Sequence, residues 1–383
     1  MERVEQVGVL GGGQLGRMLA LAGYPLGIRT ALYDPEPAAC AGQVAPLLSA
    51  PYDHWHLLQQ FVQDKQCITY EFENVPLRTA QWLAERVPVR PTPRALELFQ
   101  DRLSEKRFLR DSGIPVPRFA EVDIAKPLSA LESVGCPCVV KTRRFGYDGK
   151  GQVVARSEEQ FLQAVRLLQA QPLIAEELVP FDREVSVLGV RSLDGEVAIY
   201  PLVENHHREG ILRLSLAPAP NASEQVIAAA QEYVTRLLQS LDYVGIVAIE
   251  MFQVGEQLLA NEVAPRVHNS GHWTIEGAET SQFENHLRAI CGFALGSTAP
   301  RGFSAMVNLI GELPPVEKVL AIPNAHLHLY GKQPRPGRKI GHITIRADSP
   351  GQRNNLLEEV FALYPPGRVC PSRPHSSQEH AQG

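Results

Sequence analysis

Residues 246–254 form a β-rich, largely apolar run in which one position, Glu250, carries charge. Gly255-Glu-Gln257 reads as a turn, and residues 258–263 are β-rich again, interrupted by Glu262. Such a pattern predicts a hairpin with a loop of about three residues. Val254 and Leu258 then flank the loop, which sets Glu250 opposite Glu262 with Asn261 beside them. Like charges directly opposite each other are destabilising, more so on strands that are otherwise apolar. A hard cation between the carboxylates removes the conflict, and Mg²⁺ takes such a pair together with phosphate oxygens. The pattern also accommodates one glutamate pointing to solvent, or a register displaced by one residue.

The chain before this hairpin alternates short apolar runs with helical segments. Residues 6–10 read as a buried strand, followed by Gly11-Gly-Gly-Gln-Leu-Gly16, a helix over 17–22 and a second strand over 28–33 that ends at Asp34. The alternation continues through a strand at 67–72, a helix near 77–86 and a short strand at 89–90, which predicts one doubly wound α/β domain closing near residue 95. Glu71-Phe-Glu-Asn74 falls at the carboxyl edge of that sheet, where such sheets bind ligands, although a solvated loop has the same pattern. A helix then ends at Gly113, and Pro115 and Pro117 stop it from continuing, as at a joint between domains. Beyond it a strand delivers Lys141, and the glycine-rich turn Phe145-Gly-Tyr-Asp-Gly-Lys-Gly-Gln152 leads into another strand. A helix over 158–169 precedes a strand at 173–175 that runs into Glu176-Glu-Leu-Val179, and Glu184 opens the next strand. Further strands are expected over 195–203 and 213–217 with His206-His207 in a loop between them, and Ser223 caps a helix that reaches residue 241.

Composition changes this picture only by exclusion. With 383 residues the chain is long enough for two or three domains, and 44% apolar with 21% charged residues is ordinary for a soluble globular protein. The net charge of −5 gives no basic surface for nucleic acid. No apolar run approaches the roughly 18–20 residues of a membrane span, and the first residues lack the form of a signal peptide. Six scattered cysteines, with Cys136-Pro-Cys138 too cramped for zinc, read as reduced thiols of a cytoplasmic protein. The tail from about Pro371 is expected to be disordered.

Three pieces of candidate chemistry emerge. The opening glycines with Asp34 have the form of a dinucleotide-binding turn, which alone points to a nicotinamide enzyme, although any tight strand-to-helix turn uses such glycines. The Lys141 strand with the glycine-rich turn suits phosphate, because backbone N–H groups approach the oxygens and flanking cations neutralise them. It is not a Walker A loop, and a hairpin turn with solvated basic residues has the same composition. The histidine pair lacks a third ligand at zinc spacing.

Taken in order, the motifs resemble the ATP-grasp ligases and, within them, the 5-(carboxyamino)imidazole ribonucleotide synthetase family of purine biosynthesis. The resemblance reaches to about Pro365. It rests on Gly11-Gly-Gly-Gln-Leu-Gly-Arg-Met18, Tyr70-Glu-Phe-Glu-Asn74, the Phe145–Gln152 turn, Asn261-Glu-Val-Ala-Pro-Arg-Val-His-Asn-Ser-Gly-His-Trp-Thr274 and Arg335-Pro-Gly-Arg-Lys-Ile-Gly-His342. It implies a mixed α/β and α+β architecture, an ATP-grasp fold between an N-terminal doubly wound α/β domain and a small β-rich C-terminal domain. The boundaries expected are 1–95, 96–298 with a mobile lid over about 115–180, 299–368, and a disordered tail at 369–383.

The resemblance also implies roles. Lys141 binds the ATP phosphates, and Gly146, Tyr147, Asp148, Gly149, Lys150, Gly151 and Gln152 form the loop covering them. Arg102 approaches the nucleotide from the joint, while Glu176, Glu177, Leu178 and Val179 line the adenine pocket through their backbone. Glu184 takes the ribose hydroxyls with His207 beside the nucleotide. Glu250 and Glu262, assisted by Asn261, hold one or two Mg²⁺ ions. Tyr147, Asp148, Lys150, Arg266, His268 and Asn269 meet bicarbonate and 5-aminoimidazole ribonucleotide, Glu73 lies on the same side, and Lys332 and Arg338 take that ribonucleotide's phosphate. Tyr147, Asp148, Lys150 and Arg266 are the catalytic candidates, and on chemical grounds Asp148 either accepts the amine proton or orients the substrate. The implied reaction converts bicarbonate into carboxyphosphate at the expense of ATP, then transfers its carboxyl group to the ribonucleotide's amine, in a cytoplasmic homodimer with small-molecule partners only. The alternatives are a sister ligase such as formate-dependent glycinamide ribonucleotide formyltransferase, a nicotinamide-dependent dehydrogenase, and a nucleotide-binding protein without turnover.

Overall fold

The computed structural model describes residues 4–146 and 150–364. Its elements gather into three sheets. Four parallel strands make the first, in the spatial order Leu47–Ser49, Arg29–Asp34, Gln6–Leu10 and Cys67–Tyr70. The helix after the opening glycines runs over Gln14–Gly23, three residues earlier than the apolar pattern predicts, because Gly13 takes an extended conformation and serves as its N-cap. The short strand expected at 89–90 is reduced to a single bridge between Ile68 and Val89.

The second sheet belongs to the lid. Its four antiparallel strands stand in the order Phe119–Val122, Leu173–Glu177, Cys138–Thr142 and Gln152–Ala155, with the helices Leu128–Val134 and Glu158–Leu168 closing a core of their own around Val140, Phe161 and Leu173. An independent core lets this unit keep its shape if it moves as a body.

The third sheet is antiparallel and has nine strands. Eight follow the order Gln257–Ala264, Gly245–Val254, Arg183–Arg191, Val203–Arg208, Ile211–Ala217, Phe303–Ile310, Lys339–Ala347 and Ala325–Leu329, while Val197–Ile199 pairs beside Arg183–Arg191. Two expectations change here. The strand expected over 195–203 is broken, with Pro201, which has no N–H to give, between its two halves. His206 and His207 lie within the strand Val203–Arg208 instead of in a loop, and on its opposite faces the two imidazoles meet different partners, Glu204 and Glu184. The C-terminal strands do not make a sheet of their own: Phe303–Ile310 pairs with Ile211–Ala217, so one sheet carries the site and the C-terminal region together.

The joint is the helix Arg102–Asp111, capped by Asp101 and ended by Gly113 at a φ of +70°. It lies on the strand Gln257–Ala264, and its fully buried Lys106 donates to the carbonyls of Ala260 at 3.1 Å and Asn261 at 2.7 Å. Among the described residues no helix is long and apolar enough to cross a membrane.

The seam between the N-terminal sheet and the large sheet contains a buried imidazole, His286. Its Nδ1 accepts from the Ile246 N–H at 3.1 Å, and its Nε2 lies 2.8 Å from the Thr69 hydroxyl, an arrangement that only the neutral ring supports. Burial pushes its pKa down to about 3. A base depressed in the folded state contributes stability that is present above its unfolded value near 6.5 and lost as pH falls toward the folded value. His286→Gln should therefore be less stable than the parent at pH 7.5, with the gap narrowing by about 1.4 kcal/mol per pH unit below pH 6.5. Urea midpoints of both proteins from pH 7.5 to 5 measure this; parallel curves would contradict it.

Candidate active site

The site is assembled around the hairpin Gly245–Val254 and Gln257–Ala264. Its loop has two residues, Gly255 and Glu256, in place of the three expected, and the φ of +57° at Gly255 is what a tight turn of this kind requires. Near the tip, Val254 therefore faces Gln257 and Met251 faces Ala260. The pairing shifts by one residue between Glu250 and Met251, and beyond the shift Glu250 faces Glu262 as the pattern predicted. Asn261 is the extra residue of this bulge. The expected register was thus off by one at the turn and right at the carboxylates.

The facing carboxylates are held apart electrically. Burial acts against ionisation of both. At Glu262, Arg102 outweighs it, its Nη1 donating to Oε2 at 3.2 Å, and the carboxyl is held below its usual range. At Glu250, burial together with the charges of Glu262 and Glu184 overcomes the pull of His207 and pushes the pKa up to about 7. His268 Nε2 stands 3.5 Å from Glu250 Oε1. Asn261 Oδ1 is buried and has no hydrogen-bond partner among the described residues. No group of three or more His, Cys, Asp or Glu side chains among the described residues is arranged to hold a metal ion; the hairpin offers two carboxylates and one amide oxygen.

On one side of the hairpin, a cleft of about 310 Å³ runs between the lid and the large sheet. Val139, Val154, Leu178, Phe181, Leu212 and Phe252 form its apolar end, where the rings of Phe181 and Phe252 are stacked 4.8 Å apart. Its polar end carries Arg102, Lys141, Lys150, Gln152, Glu184 and His207, and closes on Glu250, Asn261 and Glu262. Glu184 Oε2 and His207 Nδ1 are 2.8 Å apart; burial opposes the imidazolium, but Glu184 and Glu250 raise its pKa to about 9. Behind the polar end, Lys141 Nζ donates to Glu176 Oε2 at 3.0 Å, and Lys106 Nζ is 3.4 Å from the same oxygen. Glu176 is almost fully buried, yet Lys106, Lys141 and Arg102 overcome the burial and hold its pKa at about 2. Its side chain thus supports Lys141, a role beyond the backbone one expected for it. Of the adenine segment, Leu178 lines the cleft, while the Glu177 carboxylate turns away to Arg118. Thr142 N–H is held by the Gly151 carbonyl at 2.8 Å, which closes the base of the glycine-rich turn.

On the other side lies a cleft of about 530 Å³ lined by Gln14, Glu71, Glu73, Asn74, Arg143, Arg144, Arg266 and Lys339, among others. Arg102, Glu262, His268, Asn269 and Lys339 line both clefts and form the wall between them. Arg266 is ion-paired with Glu73, so two residues assigned separately to the substrate side act as one unit. Asn269 exchanges amide hydrogen bonds of 3.0 and 2.7 Å with Asn308. Lys332 donates to Gln14 behind the cleft, and Arg338 donates to the Gln333 carbonyl at 3.3 Å; neither lines the cleft itself, whereas Lys339 does. Burial lowers the Lys332 ammonium, and the nearby charges of Arg338 and Lys339 lower it further.

The opening glycines lie next to Gln14 and Glu71 of this second cleft and already have their partners. Gly12 N–H donates to Asp34 Oδ2 at 2.6 Å, Gly13 N–H to Glu71 Oε1 at 2.9 Å, and Gly16 N–H to Glu71 Oε2 at 3.2 Å. A Cβ at Gly11 or Gly13 would lie 2.6 or 2.8 Å from the Glu71 side chain, so glycine is needed there for the approach of this carboxylate. Two carboxylates occupy the donors that a dinucleotide turn presents to pyrophosphate, and the nicotinamide reading fails on this geometry.

Tyr147, Asp148 and Gly149, and the tail expected at 369–383, lie outside the described residues. Sequence reasoning left Lys106, Asn308 and Lys339 without roles, and it put Glu71 at the ligand-binding edge of the first sheet without its contact to the glycines. Lys339 carried a signal, as the cation next to Arg338 in a motif already singled out. Lys106 and Asn308, and the partners of Glu71, are recruited from far along the chain, and spacing gave no sign of them.

A lid sheet facing a larger antiparallel sheet, with a buried lysine and paired carboxylates between them, defines an ATP-grasp enzyme. The description ATP-grasp domain matches residues 107–283, between a ribonucleotide synthetase preATP-grasp domain at 4–100 and a phosphoribosylaminoimidazole carboxylase C-terminal domain at 304–355. The N5-carboxyaminoimidazole ribonucleotide synthase of Pseudomonas aeruginosa is 50% identical over 94% of this chain and 99% of its own length. The solved N5-carboxyaminoimidazole ribonucleotide synthetase of Thermus thermophilus is 57% identical with a TM-score of 0.90, covering 93% of this chain and 98% of that one. The Aspergillus clavatus N5-carboxyaminoimidazole synthase, solved with ADP and 5-aminoimidazole ribonucleotide, is 32% identical with a TM-score of 0.88, over 95% of this chain and 99% of that one. The chain belongs to the N5-carboxyaminoimidazole ribonucleotide synthase family, and it is an ATP-dependent ligase.

Proposed function

We infer that bicarbonate, by way of carboxyphosphate, is the carboxyl donor in the ATP-dependent carboxylation of 5-aminoimidazole ribonucleotide that this family member performs in purine biosynthesis. The observation that carries this reading is the shared wall. Arg102, Glu262, His268, Asn269 and Lys339 face both clefts, so a group activated in one is within reach of an acceptor in the other.

Adenine fits the apolar end of the smaller cleft, and Glu184 with His207 is placed for the ribose. Lys141 and Arg102 then lie along the phosphates. Bicarbonate is a poor electrophile, and phosphoryl transfer to it needs positioning and charge neutralisation rather than a protein nucleophile. A bicarbonate oxygen attacks the γ-phosphorus as the bond to ADP breaks, giving carboxyphosphate. The exocyclic amine of the ribonucleotide attacks the carboxyl carbon, phosphate leaves, and the amine's proton passes to a base, for which Asp148 is the candidate read from the sequence. Arg266, fixed by Glu73, and Lys339 are placed to hold the anionic oxygens. Carboxyphosphate hydrolyses readily, so a lid that excludes water serves this chemistry.

Glu250 and Glu262 face each other beside an unpartnered amide oxygen, and this donor set fits a hard cation. They would hold Mg²⁺ with Asn261 nearby, and when bound it neutralises charge on the β- and γ-phosphates. A cytoplasmic homodimer completes the proposal; the described cysteines are all free thiols, which fits a reducing compartment, and light scattering measures the mass.

The test is ADP release with and without 5-aminoimidazole ribonucleotide, in buffers containing or depleted of bicarbonate. Release that depends on both supports the reading. Release that ignores bicarbonate, or that formate sustains instead, overturns it.

A further inference from the structure

One buried carboxylate behind the two clefts makes more bonds than its local role requires. Asp101 caps the joint helix through Oδ1, which accepts from the N–H groups of Leu103 at 3.0 Å and Ser104 at 3.3 Å. A cap needs only that oxygen, and asparagine or serine supplies it equally well. Yet Asp101 also takes Arg143 side-on, with Nε 3.0 Å from Oδ1 and Nη2 2.8 Å from Oδ2, and Arg144 Nε is 3.4 Å from Oδ2. Arg143 follows directly on the strand Cys138–Thr142, at the base of the glycine-rich turn. Its Nη1 goes on to Glu121 Oε1 at 2.8 Å on the lid's edge strand, and Arg107 Nη2 from the joint helix reaches Glu121 Oε2 at 3.3 Å. The charges close a ring through helix, turn base and lid edge.

Arg102 sits inside this ring. Its backbone N–H donates to the Arg143 carbonyl at 2.9 Å, so Asp101 and Arg143 hold it from both sides. Its guanidinium bridges Glu262 Oε2 and the Gly146 carbonyl, each at 3.2 Å. A planar, two-bond carboxylate–guanidinium pair fixes orientation as well as distance, and a buried one is little screened.

We propose that Asp101 is a positioning residue for the nucleotide step: through Arg143 it fixes the base of the glycine-rich turn on the joint helix, and so sets the Arg102 guanidinium between Glu262 and that turn. The proposal rests on the reading that Arg102 faces the nucleotide phosphates. Asp101 itself lines neither cleft.

Asp101→Asn separates the two roles, because asparagine keeps the cap but loses the charge and presents N–H to Arg143. The expected result is a KM for ATP raised about tenfold, with kcat within about threefold and a melting temperature within about 3 °C of the parent. Arg143→Met, which leaves the cap in place, should raise the same KM and gives a second route to this readout if Asp101→Asn does not fold. The double variant should be no worse than the poorer single one, as for two members of one unit. Parental kinetics in Asp101→Asn, or additive losses in the double variant, overturn the proposal. Arg102→Met separates its failure from that of the underlying reading. A raised KM for ATP in Arg102→Met beside a silent Asp101→Asn sinks only the positioning role, whereas a parental KM in Arg102→Met sinks the assignment of Arg102 to the nucleotide.

Discussion

Replacing Glu250 by glutamine is expected to leave the metal-free protein at least as stable as the parent while ribonucleotide-dependent ADP release falls by more than about a hundredfold. The two halves of this expectation have different causes. Glu250 is the member of the facing pair whose pKa is raised, to about 7, chiefly by burial and then by Glu262 and Glu184. A carboxyl raised in the folded state gives stability that is complete below its unfolded value and is lost as pH rises through the folded one. At pH 8 glutamine removes that liability, and the variant should gain about 1–3 kcal/mol. Glu262→Gln should behave differently, because Glu262 is the partner of Arg102 at 3.2 Å. Its loss leaves a buried guanidinium short of an anion, so the metal-free melting temperature should fall while activity is lost as well. Melting in a chelator and ADP release, measured for both variants side by side, decide the matter. Two variants that melt early yet turn over normally would show that the facing carboxylates are structural.

Glu176→Gln should cost about 3–5 kcal/mol of stability at pH 7, the largest loss expected from any single replacement at the site. Lys106 is fully buried and Lys141 nearly so, and both direct their ammonium groups at one carboxylate oxygen, at 3.4 and 3.0 Å. Burial opposes the Glu176 charge, but the two lysines and Arg102 hold its pKa at about 2. For a carboxyl depressed in this way, stability is present above the unfolded value and lost as pH falls through the folded one, so its full contribution is in place at pH 7. Removing the charge leaves two buried cations facing each other. A melting temperature lowered by roughly 5–15 °C follows. Adding Lys106→Met should restore part of that loss by removing one uncompensated charge, which a loss of packing alone would not allow. Glu176→Gln melting within about 2 °C of the parent would remove this ion cluster from the account of stability.

What could be read from the sequence was local. The runs around Gly255 gave the hairpin, and counting outward from the turn brought Glu250 opposite Glu262. The count reached the right pair through a wrong turn, because a two-residue loop and one extra residue at Asn261 cancel. A bulge moves the register without changing the apolar pattern, so nothing in composition marks it. The glycine loop was legible as a tight strand-to-helix turn, but its occupant was not. Glu71 lies 58 positions beyond Gly13, and only the parallel pairing of Gln6–Leu10 with Cys67–Tyr70 brings the two together. The same applies to Lys106 and Glu176, which meet only where the lid strand Leu173–Glu177 comes up to the joint helix. The continuity of the large sheet was hidden too, because the segment between Ile211–Ala217 and Phe303–Ile310 holds the whole hairpin and three α-helices.

The bulge at Asn261 also separates two parts of the hairpin that evolution can treat differently. Lys106 grips the carbonyls on either side of the shift, those of Ala260 and Asn261, from a helix outside the hairpin. The phase of the inner strand is therefore set by an external clamp and not inherited from the tip. A Cβ built on Gly255 meets nothing within 4 Å, although the tip is tied down by the Gly255 N–H, which donates to Asp182 Oδ2 at 2.7 Å, and by the Ser223 hydroxyl, which donates to Glu256. A loop spliced in at that tip should leave the two carboxylates in step, provided it keeps the hold of Asp182 and Ser223 on its two ends.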